Sequence, residues 1–141
     1  MFNNIMMSQK IVRILVIFLI LIILDMIWFT FSLEHIYKPL FRNIQKTELN
    51  LKIIGGIIAW LLIALAINEF VINDLDNDLN NIAFRGALIG FIIYGVYNAT
   101  NYATFSDYAM SAAIIDTTWG TIVCLTTSVI MATILKNKII I

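Results

Sequence analysis

Charge is what this sequence has least of. Its 141 residues include 9 Lys and Arg, 9 Asp and Glu and 1 His, so 13% of the chain is charged against 61% hydrophobic, and the net charge is zero. That is too little polar surface to cover a soluble globule of this length, and with a mean hydropathy of +0.93 the apolar residues fall in runs instead of stripes. The chain therefore reads as an integral membrane protein whose first partner is the lipid bilayer. Its basic residues are scattered, which excludes a nucleic-acid footprint and a polybasic lipid-binding cluster. The one cysteine, Cys124, rules out an intrachain disulfide and, inside an apolar run, leaves the redox compartment open. The one proline, Pro39, stands outside every apolar run. Nucleophile elbow, phosphate loop, zinc motif and dinucleotide fingerprint are all missing, so no cofactor and no resident metal are expected.

What the chain does have is four apolar segments, Ile11 to Phe31, Ile53 to Val71, Ile82 to Asn101 and Ala109 to Leu135. A hydrocarbon core needs about 20 residues of helix, so each is long enough to cross and the fourth to tilt. The expected fold is all-α: one transmembrane domain over residues 1–141, an up-down four-helix bundle. The first segment is longer than a signal peptide's apolar core, lacks a small-x-small cleavage site and is interrupted by Asp25 and Trp28, so it is expected to stay in the mature chain. The connections are a mixed-charge segment from Ser32 to Lys52, an acidic one from Asn73 to Asn81 and a turn around Ser106 and Asp107. Within the first, Tyr37, Phe41 and Arg42 read as a short interfacial helix. Lys10, Arg13, Arg85, Lys136 and Lys138 balance Lys38, Arg42, Lys46 and Lys52 across the membrane, and the positive-inside rule inclines only slightly to both termini inside.

Two aspartates inside those runs require a reason. A charged carboxylate at mid-helix costs about 2.5–3.5 kcal/mol on insertion scales, and neither Asp25 nor Asp116 has a basic neighbour in its run. In an up-down bundle Asp25, near the end of the first helix, Asp116, near the start of the fourth, and Asn98, near the end of the third, lie at one level on one side of the membrane. Tyr94, Tyr97, Asn98 and Asn101 follow i, i+3, i+4, i+7 spacing, a polar stripe that should face protein. Ala112, Asp116, Gly120, Cys124, Ser128 and Ala132 recur every four residues as a small-residue groove for a neighbouring helix, and Gly86 and Gly90 give the third helix a G-x-x-x-G. An aspartate without a cation is protonated, shares a proton with the other, accepts bonds from Asn98, Thr100, Asn101, tyrosine hydroxyls or an indole, or holds a cation, metal ion or water chain. Three functions follow: a pocket that binds and conducts a proton, cation or small polar ligand; a structural scaffold, for example in a viral envelope, whose polar cluster only fixes packing; and an enzyme acting on a lipid head group. Four helices are few for an alternating-access carrier, so transport implies a homodimer through a small-residue face.

Other features take plainer readings. Asp74-x-Asp76-x-Asp78 opens like a calcium loop, but Leu79 and Arg85 occupy the glycine and glutamate positions, which leaves a solvated acidic turn. His35 has no second ligand at metal spacing and reads as interfacial. Trp28, Trp60 and the tyrosines fit an aromatic belt, whereas Trp119, beside Asp116 and Gly120, fits packing within the bundle.

The strings Leu24-Asp25-Met26-Ile27-Trp28, Arg85-Gly86-Ala87-Leu88-Ile89-Gly90, Tyr97-Asn98-Ala99-Thr100-Asn101-Tyr102-Ala103-Thr104 and Asp116-Thr117-Thr118-Trp119-Gly120 together resemble a domain-of-unknown-function family of small four-helix membrane proteins. The resemblance implies members in bacteria and large DNA viruses, and a pocket that includes Tyr94, Thr104 and both tryptophans of the D-x-x-W motifs. Relatives commonly carry aspartate where this chain has Asn98, so a third carboxylate is missing here. No activity comes with the resemblance.

Overall fold

In the computed structural model, which describes residues 2–72 and 78–137, the apolar runs form helices and no strand occurs among the described residues. The elements are α1 (Phe2–Ser32), a π turn (Leu33–Tyr37), α2 (Lys38–Gln45), α3 (Ile53–Ile67), a second π turn (Asn68–Ile72), α4 (Leu79–Thr104) and α5 (Met110–Lys136). Four stretches are long and apolar enough to cross a membrane, beginning at Met7, Ile53, Leu79 and Met110. Large apolar side chains such as Leu19, Ile54, Phe84, Phe91 and Ile114 point outward, as a bilayer-facing surface requires.

The first connection differs from its expected form. The helix does not stop at Phe31 but runs on through the π turn into α2, so Tyr37 belongs to that turn and Phe41 and Arg42 to α2. Pro39 sits in the first turn of α2, where a missing N–H is tolerated. Leu40 of α2 packs with Tyr108, Ala112 and Ala113, flanked by Ile36 and Ile44, and pins the overhang to the start of α5. Lys46, left-handed at φ 57°, ends α2 and returns its N–H to the Arg42 carbonyl at 2.9 Å. Asp74 and Asp76 lie outside the described residues, as does Lys138; Asp78 caps α4 by accepting the Asn80 N–H at 2.9 Å. His35 is exposed, its Nδ1 against the Phe31 carbonyl and its ring stacked on Phe31.

The strongest packing is α4 on α5. A Cβ on Gly90 would sit 2.3 Å from the Gly120 carbonyl oxygen, one on Gly86 2.5 Å from Ser128 Oγ, and one on Gly120 2.0 Å from the Tyr94 ring. Contacts this short exist only because the side chains are hydrogen, so the glycines set how closely the two backbones approach. The small-residue row from Ala112 to Ala132 is buried, and its members Gly120, Cys124 and Ser128 meet α4 in that contact. The row is thus occupied within the chain. α3 packs on α1 and touches α4 at few points.

Candidate functional site

Asp25 and Asp116 are 3% and 9% exposed and line one cleft of about 690 Å³. Asp25 accepts the Trp119 indole N–H at 2.7 Å on one oxygen and the Trp60 indole N–H at 2.6 Å on the other. Asp116 accepts the Asn98 amide at 2.7 Å on one oxygen and the Tyr37 hydroxyl on the other. Tyr37 in turn accepts the Trp28 indole N–H at 3.2 Å. Asn98 is held from both sides, donating also to the Tyr94 carbonyl at 2.9 Å and accepting the Tyr108 hydroxyl at 2.6 Å. Burial pushes the Tyr108 phenol, in the turn between α4 and α5, up to about 12, so it keeps its proton at neutral pH and remains the donor. An acceptor-only side chain at position 98 would face a second acceptor at Asp116; the amide supplies the donor.

The two D-x-x-W motifs cross. Trp28 and Trp119 stack with centroids 4.7 Å apart and planes 9° from parallel. Each stands three residues after one aspartate and serves the other: Trp119 bonds Asp25 directly, and Trp28 reaches Asp116 through Tyr37. The helix spacing puts tryptophan and aspartate of one motif on the same face, and the stack lets two antiparallel helices exchange donors.

Magnitudes explain how the acids are tolerated. A hydrogen bond to a charged group contributes about 1.5–3 kcal/mol, so two donors per carboxylate match an insertion cost of about 3 kcal/mol. Neutral donors suffice to bury the acids. They balance no charge, however, and among the described residues Lys52 is the one cationic side chain in the cleft wall.

The cleft wall contains Asp25, Tyr94, Tyr97, Asp116 and Trp119 of the sequence-derived set, with Trp28 and Asn98 in the layer behind. Asn101 lies beside the Tyr97 and Tyr108 phenols. Thr100 and Thr104 are exposed and outside the wall, and the Thr104 hydroxyl turns back to the Thr100 carbonyl at 2.7 Å. At about 100° per residue Thr100 stands roughly 200° around α4 from Asn98, so it cannot share that face. Trp28 and Trp60, fitted above to an aromatic belt, instead direct their N–H groups inward. Tyr37, Trp60 and Tyr108 are the polar groups the sequence did not assign to the site. Among the described residues no group of three His, Cys, Asp or Glu is placed to hold a metal ion.

Fold and site together define a multi-pass membrane protein of four spanning helices with a cleft floored by two acids. Residues 10–133 match the family model described as predicted membrane protein, DUF2177, and the chain belongs to that family. Neither a curated protein nor a solved structure matches it.

Proposed function

We propose that the protein binds a small positively charged or hydrogen-bond-donating ligand within the membrane, at Asp25 and Asp116. The observation that carries this reading is two carboxyl groups sharing one cleft, each hydrogen-bonded directly only by neutral donors. A carboxylate has about four acceptor positions, and two accepted bonds leave room for a ligand's donor. Indole and phenol rings on the walls add cation–π attraction. Holding is favoured over passage, because the glycine contact of α4 on α5 leaves no room along that seam.

All three tryptophans of the chain belong to this site, so their emission reports on it. The full chain in phosphatidylcholine vesicles should show a saturable emission change with methylammonium. Asp116→Asn should weaken it at least tenfold while leaving helical content intact. A wild-type protein that responds to no amine would remove the reading. A second reading, that the cluster only locks the helices, draws support from the intramolecular partners already on both acids. It expects Asp25→Asn with Asp116→Asn to lower the thermal midpoint and to leave any amine response unchanged.

A further inference from the structure

The wall of the cleft narrows the ligand's chemistry. From α1 come Ile22, Met26 and Phe29, from α3 Gly56, Ala59 and Ile63, and from α4 Ile93, and the polar groups are the two acids, the indoles of Trp60 and Trp119, tyrosine hydroxyls and Lys52. A small hydrated ion would have to leave its water beside hydrocarbon before it reached the two acids. An apolar chain meets no such cost. The cleft also has a side opening. α3 leans on α1 and α4 on α5, so the two walls that scarcely touch are α3 and α4, and Tyr97 on α4 is 49% exposed where it lines the cleft. Both helices are long and apolar enough to cross a membrane, so a gap between them would open toward acyl chains. The two acids set against Lys52 leave one formal negative charge in the described wall, so its complement is a single cation.

We infer that the ligand is a single-chain cationic amphiphile that enters from the bilayer between α3 and α4, its ammonium head against Asp25 and Asp116 and its chain left in the gap. This rests on the ligand-binding reading above and specifies the class of molecule. Gly56 is the position from which to test it: a Cβ there meets only Trp60, at 3.8 Å, so a larger side chain would grow into the gap without striking backbone. Gly55, where a Cβ meets nothing within 4 Å, lies off the cleft wall and serves as the control.

The experiment titrates the full chain in phosphatidylcholine vesicles with dodecylammonium, dodecanol, dodecanoate and methylammonium, each expressed as mole fraction in the lipid or, for methylammonium, as aqueous concentration. Dodecylammonium should saturate the tryptophan response at a mole fraction at least tenfold below that of the alcohol or the acid. Asp25→Asn with Asp116→Asn should erase that preference. Gly56→Phe should abolish the dodecylammonium response and spare that of methylammonium, while Gly55→Phe changes neither. Equal response to alcohol and amine, or undiminished dodecylammonium binding in Gly56→Phe, would overturn the inference. A response to methylammonium with none to dodecylammonium would overturn it too and leave the broader reading standing, whereas silence toward every amine would remove both. Circular dichroism of each variant separates these results from failure to fold.

Discussion

The two polar ends of this bundle are built from opposite materials. At one end two acids are met by indole, phenol and amide, all neutral, and the side-chain oxygens of Asp25 and Asp116 all have a donor. At the other, Lys10 bridges Glu69 at 2.8 Å, Asn68 donates to Glu69 at 2.8 Å, and Arg85 donates to the Phe70 carbonyl at 2.5 Å. Charges are matched there, yet Arg13 Nε, Asn68 Oδ1 and Thr127 Oγ1 are buried without a hydrogen-bond partner. Both ends contain a π turn, which supplies Tyr37 to the first and Asn68 and Glu69 to the second. Such turns are frequent at functional sites, because the added residue re-aims a side chain that a regular helix would carry elsewhere. The difference is in completeness. The acid end has a donor on every carboxyl oxygen, and the other end combines a partly exposed ion pair and two hydrogen bonds with buried polar atoms that have none.

The contrast is broken most directly at Asp116. Asp116→Ala leaves the Tyr37 hydroxyl and the Asn98 amide without an acceptor, and a loss of about 2–4 kcal/mol is expected, read from the thermal midpoint in detergent. A loss below about 1 kcal/mol would mean that the network holds the helices no better than an average polar contact in a membrane, near 0.6 kcal/mol. Thr127→Val should act in the opposite sense. Removing a buried hydroxyl that has no partner at nearly constant shape is expected to leave stability unchanged or raise it by up to about 1 kcal/mol. If stability falls instead, the two ends are alike after all. The smallest change belongs to Lys10→Ala: the pair with Glu69 has side chains 43% and 29% exposed. It is expected to contribute less than about 1 kcal/mol and to vanish in high salt, which a denaturation series at two ionic strengths checks.

Much of the fold was legible because hydropathy and spacing act through one helix at a time. The four spans and the placing of Asp25 and Asp116 in one cleft follow from runs and from the helical period, as do the two small-residue patterns of α4 and α5, whose pairing only the structure gives. What could not be read required knowledge of two segments at once. Trp60 reaches Asp25 across 35 residues and Tyr37 reaches Asp116 across 79, distances at which no periodicity connects them. Tyr37 was hidden doubly, since the charged stretch from Glu34 to Arg42 reads as the end of a spanning helix, whereas packing of Leu40 on Tyr108 draws the chain onward as helix. Thr100 and Thr104 show the reverse error: they are near Asn98 in sequence and on another face in space.

The exchange of donors between the two D-x-x-W motifs has a genetic corollary. Since Trp119 donates to the acid of α1 and Trp28 braces the acid of α5 through Tyr37, a lesion near the amino terminus is repaired, if at all, by a second change close to the carboxyl terminus. Suppressors of a damaged Trp119 should therefore map to α1, and the opposite ends of the gene should be inherited as a matched set.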